Sequence, residues 1–79
     1  MYLEILKKLA QDSESQVRRE VARCENPEVL AMLVTDPSSD VRINIAWNMY
    51  AHSETLDILA TDPEVDVRVA LSYNTSISE

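Results

Sequence analysis

The sequence predicts an all-α fold built as a solenoid of three short helix pairs, and three observations predict it. First, the chain repeats itself: Leu6 to Asp12, Leu30 to Asp36 and Leu56 to Asp62 share the pattern leucine, two variable residues, leucine, a small apolar residue, one variable residue and aspartate. Second, a Val-Arg dipeptide follows each aspartate at the same distance, as Val17-Arg18, Val41-Arg42 and Val67-Arg68. Third, the step from Asp12 to Asp36 is 24 residues and from Asp36 to Asp62 is 26, enough chain for two short helices and two turns. The chain reads as one domain, residues 1–79, with repeats near 1–26, 27–52 and 53–79.

Each repeat then yields its elements in order. Its first segment carries leucines at i and i+3 (Leu6/Leu9, Leu30/Leu33, Leu56/Leu59), which is helix spacing. Its second places apolar residues at i, i+4 and i+5: Val17, Val21, Ala22; Val41, Ile45, Ala46; then Val67 and Leu71, with Ser72 in the third copy. These spacings predict helices near 2–11, 14–24, 27–35, 39–49, 53–61 and 64–73. Asn26 ahead of Pro27 reads as an N-cap with proline at the first helical position, and Ser53 ahead of Glu54 reads as its counterpart. Ser13 with Gln16 resembles a capping box. Asp36-Pro37 and Asp62-Pro63 break the preceding helix, because the residue before proline is pushed out of the helical region. The chain has no glycine, so Asn48 and Asn74 are the expected left-handed C-caps, with Cys24 in that column of the first repeat. Residues 74–79 echo Asn48 to Glu54, as a fourth repeat would begin. Helices this short are weak alone, so stability has to come from stacking one repeat on the next.

Composition narrows the functional classes. Fourteen acidic and seven basic residues give a net charge of −7, which disfavours nonspecific contact with phosphate backbones and anionic lipid. Much of that acidity (Glu14, Glu28, Asp40, Glu54, Glu64, Asp66) falls where first helical turns are expected, opposing the positive end of the helix dipole. Cys24 is the single cysteine, so no internal disulfide and no cysteine-rich metal site can form, in keeping with a cytoplasmic protein. No stretch approaches the roughly 20 apolar residues of a membrane span, and residues 1–8 have no signal-peptide character.

The consensus leucine pattern, the Val-Arg pair, the following (Val/Ile)-Ala and the closing Asn resemble the bacterial leucine-rich repeat variant family over nearly the whole chain, best from Leu56 to Asn74. The resemblance implies a right-handed superhelix of alternating α- and 3₁₀-helices, so that one helix of each pair is expected to be 3₁₀ in part. The segment from Asp-Pro to Val-Arg is also similar to the second helix of the longer HEAT repeats. One member of the variant family carries a cysteine-ligated iron–sulfur cluster outside the repeats; this chain lacks the cysteines, and no cofactor is expected.

Two columns carry candidate sites. Each of Asp12, Asp36 and Asp62 is expected to meet the arginine (Arg18, Arg42, Arg68) of its own or the next repeat, capping backbone N–H groups and tying the turns together, rather than leaving the arginines to clamp an anionic ligand. On the second helices, Ile43, Trp47 and Tyr50 share a stripe whose counterparts are Arg19 and Arg23 in the first repeat and Val69 and Tyr73 in the third. Stacking aligns Arg19–Ile43–Val69 and Arg23–Trp47–Tyr73, an aromatic strip with arginines at one end, of the residue types that dominate interfaces. The alternative for Trp47 and Tyr73 is burial between repeats. His52 and Cys24 are isolated, no metal-ligand set or hydroxyl–histidine–carboxylate arrangement can be assembled, and a phosphate-binding glycine loop is impossible without glycine. The expectation is therefore a noncatalytic interaction or scaffold module whose partner is a protein or another copy of itself. The self-association option draws on the apolar Tyr2, Leu3, Ile5 and Leu6 of the first helix. The alternatives are a nucleic-acid-binding helical-repeat protein and a structural segment of a larger repeat protein.

Overall fold

A computed structural model describes residues 2–74, and residues 75–79, with the echo of a further repeat, lie outside it. Those residues form six α-helices and no strand: α1 (Tyr2–Leu9), α2 (Ser15–Val21), α3 (Pro27–Met32), α4 (Ser39–Trp47), α5 (Ser53–Leu59) and α6 (Val65–Ser72). The expectation of partly 3₁₀ elements is corrected. All six are α-helices, and i→i+3 bonding appears at their ends: at exits, as in Gln11 N–H to Lys8 O, Leu33 N–H to Leu30 O and Ala60 N–H to Asp57 O, and at the starts of α2 and α6, as in Val17 N–H to Glu14 O and Val67 N–H to Glu64 O. Tightened last turns of this kind satisfy carbonyls that the helix itself leaves open.

The helices start on a common device between the two halves of each segment. The Oδ1 atoms of Asp12, Asp36 and Asp62 accept the backbone N–H of Glu14, Ser38 and Glu64, each at 2.9 Å. Such aspartate turns reverse the chain two residues on and deliver α2, α4 and α6 from extended N-caps at Glu14, Ser38 and Glu64. No capping box forms at Ser13 and Gln16, because the N-cap of α2 is Glu14, one residue beyond Ser13, and no side chain accepts at that cap. Helix α3 starts as the sequence indicates: Asn26 accepts from the N–H groups of Glu28 (2.9 Å) and Val29 (3.2 Å), with Pro27 at the first helical position. Helix α5 begins at residue 53 as expected, but with His52 at the N-cap, so that Ser53 is already helical and is not the cap.

The asparagines do not act as left-handed caps. Among the described residues none has positive φ, and Asn48 is extended (φ −84°, ψ 118°). Its side chain instead crosses to the preceding segment, donating to Ala22 O (2.9 Å) and Cys24 O (2.8 Å), while Asn74 donates to Ala46 O (2.7 Å) and Asn48 O (3.1 Å). The amide satisfies helix-end carbonyls from outside, so no left-handed residue is needed.

Helix α4 lies between α2 and α6 and also packs on α5. Leu30, Ile45, Leu59, Val29, Val41 and Val67 are fully buried, and one apolar cluster runs from Leu6 to Leu71. The molecule measures 36 × 22 × 15 Å. Among the described residues no helix is long and apolar enough to cross a membrane, and every buried side-chain nitrogen or oxygen has a hydrogen-bond partner.

Candidate functional site

The arginine column is a continuous ladder. Arg18 donates through Nη1 to Asp12 O (2.6 Å), in its own segment, and through Nε and Nη2 to the Asp36 carboxylate (2.7 and 3.3 Å) in the next. Arg42 repeats this atom for atom with Asp36 O (2.6 Å) and the Asp62 carboxylate (2.7 and 3.3 Å). Arg68 makes the same bond to Asp62 O. The planar fork of the guanidinium suits a bidentate carboxylate contact plus a carbonyl, which a lysine cannot reproduce. The Arg18 and Arg42 side chains are largely buried by these contacts. The hydrogen bond to Asp36 outweighs the effect of burial and holds Arg18 charged more firmly than an ordinary arginine. Burial pushes the Asp62 carboxyl up, but the hydrogen bonds from Arg42 and the Glu64 N–H, with attraction to Arg42 and Arg68, prevail and keep it below the usual carboxylate range.

The aromatic column lies on the outside. Trp47 closes α4 and Tyr73 caps α6, and because the two helices run side by side their rings stack with centroids 5.8 Å apart and planes 8° from parallel. Such an offset stack is worth about 0.5–1.5 kcal/mol beyond area burial, yet Trp47 and Tyr73 remain 53% and 62% exposed. The remaining strip residues are dispersed. Ile43 packs partly against the core, and Arg19 is half-buried with its carbonyl accepting from Asn44 (3.1 Å). Arg23 is exposed and pairs with Glu20 at 3.3 Å. Tyr50 does not share the helical stripe. The chain leaves the helix at Trp47 and turns extended at Asn48, so Tyr50 sits in the following turn with its N–H on Asn48 Oδ1 (2.8 Å).

Tyr50 returns to the site by another route: with Trp47, Arg23, Asn44 and Met49 it lines a shallow groove of about 260 Å³. Met49, exposed beside the rings, was not singled out from the sequence. Its position in a turn gives it no place in a helical period, and nothing else in the sequence marks it. Among the described residues no group of three histidine, cysteine, aspartate or glutamate side chains is placed to hold a metal ion. His52 is exposed at a helix start, and the half-buried Cys24 thiol lies 3.8 Å from Asn26 O.

Comparison of the chain with protein-family models, with curated proteins and with solved structures returns no match.

Proposed function

We propose that the chain is a helical-repeat solenoid of the leucine-rich repeat variant kind and works as a noncatalytic protein-interaction module, with the Trp47–Tyr73 stack as its contact surface. The observation that carries this reading is the exposure of two large, rigid, pre-stacked rings that the core does not need. Aromatic side chains held in place before binding lose little conformational freedom when a partner covers them, which is why they dominate interface energetics. Met49 and Tyr50 extend the apolar area, while Arg23 and Asn44 offer polar groups at its edge. A nucleic-acid role is disfavoured because Arg18 and Arg42 are engaged in the ladder and the net charge is −7.

The test compares wild type with Trp47→Ala and Tyr73→Ala in capture of protein partners and in far-ultraviolet circular dichroism. Loss of a saturable partner by both variants, with helicity unchanged, supports the reading. Unfolding of both variants would show that the rings serve the fold, and a salt-steep affinity for DNA would replace the reading with the nucleic-acid one.

A further inference from the structure

Equivalent columns of the three segments are buried unequally, and the inequality marks two complementary faces. Ile5, Val29 and Thr55 share a column and are 54%, 0% and 5% exposed; Leu9, Leu33 and Leu59 share another and are 37%, 2% and 0% exposed. Val17 is half-buried where Val41 and Val67 are fully buried. What distinguishes the second and third segments is a preceding helix pair, to which their Asn44, Asn48 and Asn74 side chains are hydrogen-bonded. The opposite face mirrors this. Ala60 and Ser72 are exposed where Ala10, Val34, Ala22 and Ala46 are buried.

The ladder is incomplete at the same two faces. Arg68 keeps its bond to Asp62 O but, among the described residues, meets no carboxylate of a following segment, and it is exposed. Asp12 accepts the Glu14 N–H through Oδ1, as Asp36 and Asp62 accept theirs, yet no arginine reaches its Oδ2 among the described residues. One face thus presents a guanidinium without its carboxylate and the other a carboxylate without its guanidinium.

We propose that a second copy of this chain seats its Ile5, Leu9 and Val17 face on the Ala60, Ser72 and Arg68 face of the first, with Arg68 taking the Asp12 carboxylate across the joint as Arg42 takes Asp62. The occupant is a second copy because the same joint already occurs twice inside the chain, with leucine, aspartate, valine and arginine in the same columns. A groove of about 540 Å³ bordered by Tyr2, Leu6, Leu9, Val17 and Val21 is the apolar space to be filled. The joint is heterologous, one face against a different one, so it adds copies in a row rather than closing a dimer, unless a ring closes. It differs from the internal seams where Ser72 replaces Ala22 and Ala46, where Glu20 stands in the column of Asn44, and where Cys24 stands in place of the amide donors Asn48 and Asn74, so the joint between copies is weaker than the seams within one.

The proposal rests on reading the chain as a row of like units, and the experiment separates the two. Sedimentation velocity is followed over a wide concentration range, in salt near 0.15 M where the Debye length is about 8 Å and the repulsion between acidic copies is short-ranged, for wild type, Arg68→Asp, Asp12→Arg, their equimolar mixture and Ile5→Lys. Wild-type mass is expected to rise past two copies. Each single variant is expected to associate about tenfold more weakly or worse, and Ile5→Lys, which touches neither an aspartate turn nor a ladder bond, does so at unchanged helicity. The mixture, in which the two charge reversals restore an opposite-charge pair across every alternating joint, is expected to regain association. A wild type that stays monomeric throughout, that stops at two copies, or whose single variants fail to complement each other when mixed overturns the joint. The thermal melt of Arg42→Ala, measured alongside, tests the underlying reading: a melt equal to wild type removes the row of units and the joint together, whereas a lowered melt beside a monomeric wild type removes the joint alone.

Discussion

Arg18 and Arg42 each bind two segments with one rigid group, so removing either leaves a carbonyl without its donor and a largely buried carboxylate without its guanidinium. Breaking a buried pair by deleting one partner costs about 3–5 kcal/mol, and the remaining solvent access of Arg42 and Asp62 places Arg42→Ala at the lower end. Urea unfolding should therefore show a loss of about 3 kcal/mol, with Arg42→Lys recovering only a part, since an ammonium cannot hold Nε, Nη1 and Nη2 contacts together. Acid should act on the same column. The folded Asp62 carboxyl titrates below its ordinary value of about 4, so it stabilises the fold fully above that value and the contribution is lost as pH falls through the lower, folded one. The expected readout is a melting temperature that declines, as pH falls below about 4, more steeply in wild type than in Asp62→Asn; equal slopes would refute the assignment. At this scale the spacing of Asp and Val-Arg made the pairing legible. The hand-over of each arginine to the next segment's aspartate was not, because contacts across 18 and 20 residues leave no local trace. The same limit misplaced Asn48 and Asn74: an asparagine after a helix looks like a local cap, whereas these two donate 24 to 28 residues away.

The helices run from six to nine residues, too short to persist alone, since nucleation is costly and isolated helices below about 12 residues are marginal in water. Start signals therefore matter in proportion to their geometry. Asn26 receives two N–H groups, so Asn26→Ala should cost about 1 kcal/mol in chemical denaturation. Ser13→Ala and Ser53→Ala should each change stability by less than about 0.5 kcal/mol, as neither is an N-cap. A Ser13 effect as large as that of Asn26 would contradict the cap assignment. Helix centres were readable because leucine at i and i+3 has one physical solution in a half-buried segment. Ends were less so, because a serine caps a helix only when the helix begins on the very next residue, and α2 begins two residues after Ser13, with Glu14 at the N-cap.

Across the whole molecule the apolar cluster is continuous from Leu6 to Leu71, with α4 in contact with α2, α5 and α6. No helix pair has a core of its own; each buries its apolar residues against its neighbours, so the described residues should lose structure together. The lateral position of Trp47 and Tyr73 was legible as a shared column, but their exposure was not, because a ring at helical spacing fits a core as well as a surface and only the packing decides. This arrangement makes the same chemical change unequal along one column. Leu30→Ala removes a fully buried side chain from the middle of the cluster, where walls on every side hold the cavity open, and should cost about 3–4 kcal/mol. Leu6→Ala and Leu56→Ala open toward residual solvent, so the cavities can relax, and each should cost about 2–3 kcal/mol. Because the cluster is shared, Leu30→Ala should lower the whole transition rather than split it, with helicity and the Trp47 emission falling at one denaturant midpoint. Two separated midpoints in that variant would mean that the segments fold as independent units, and the unequal costs would then have to come from each pair's own contacts.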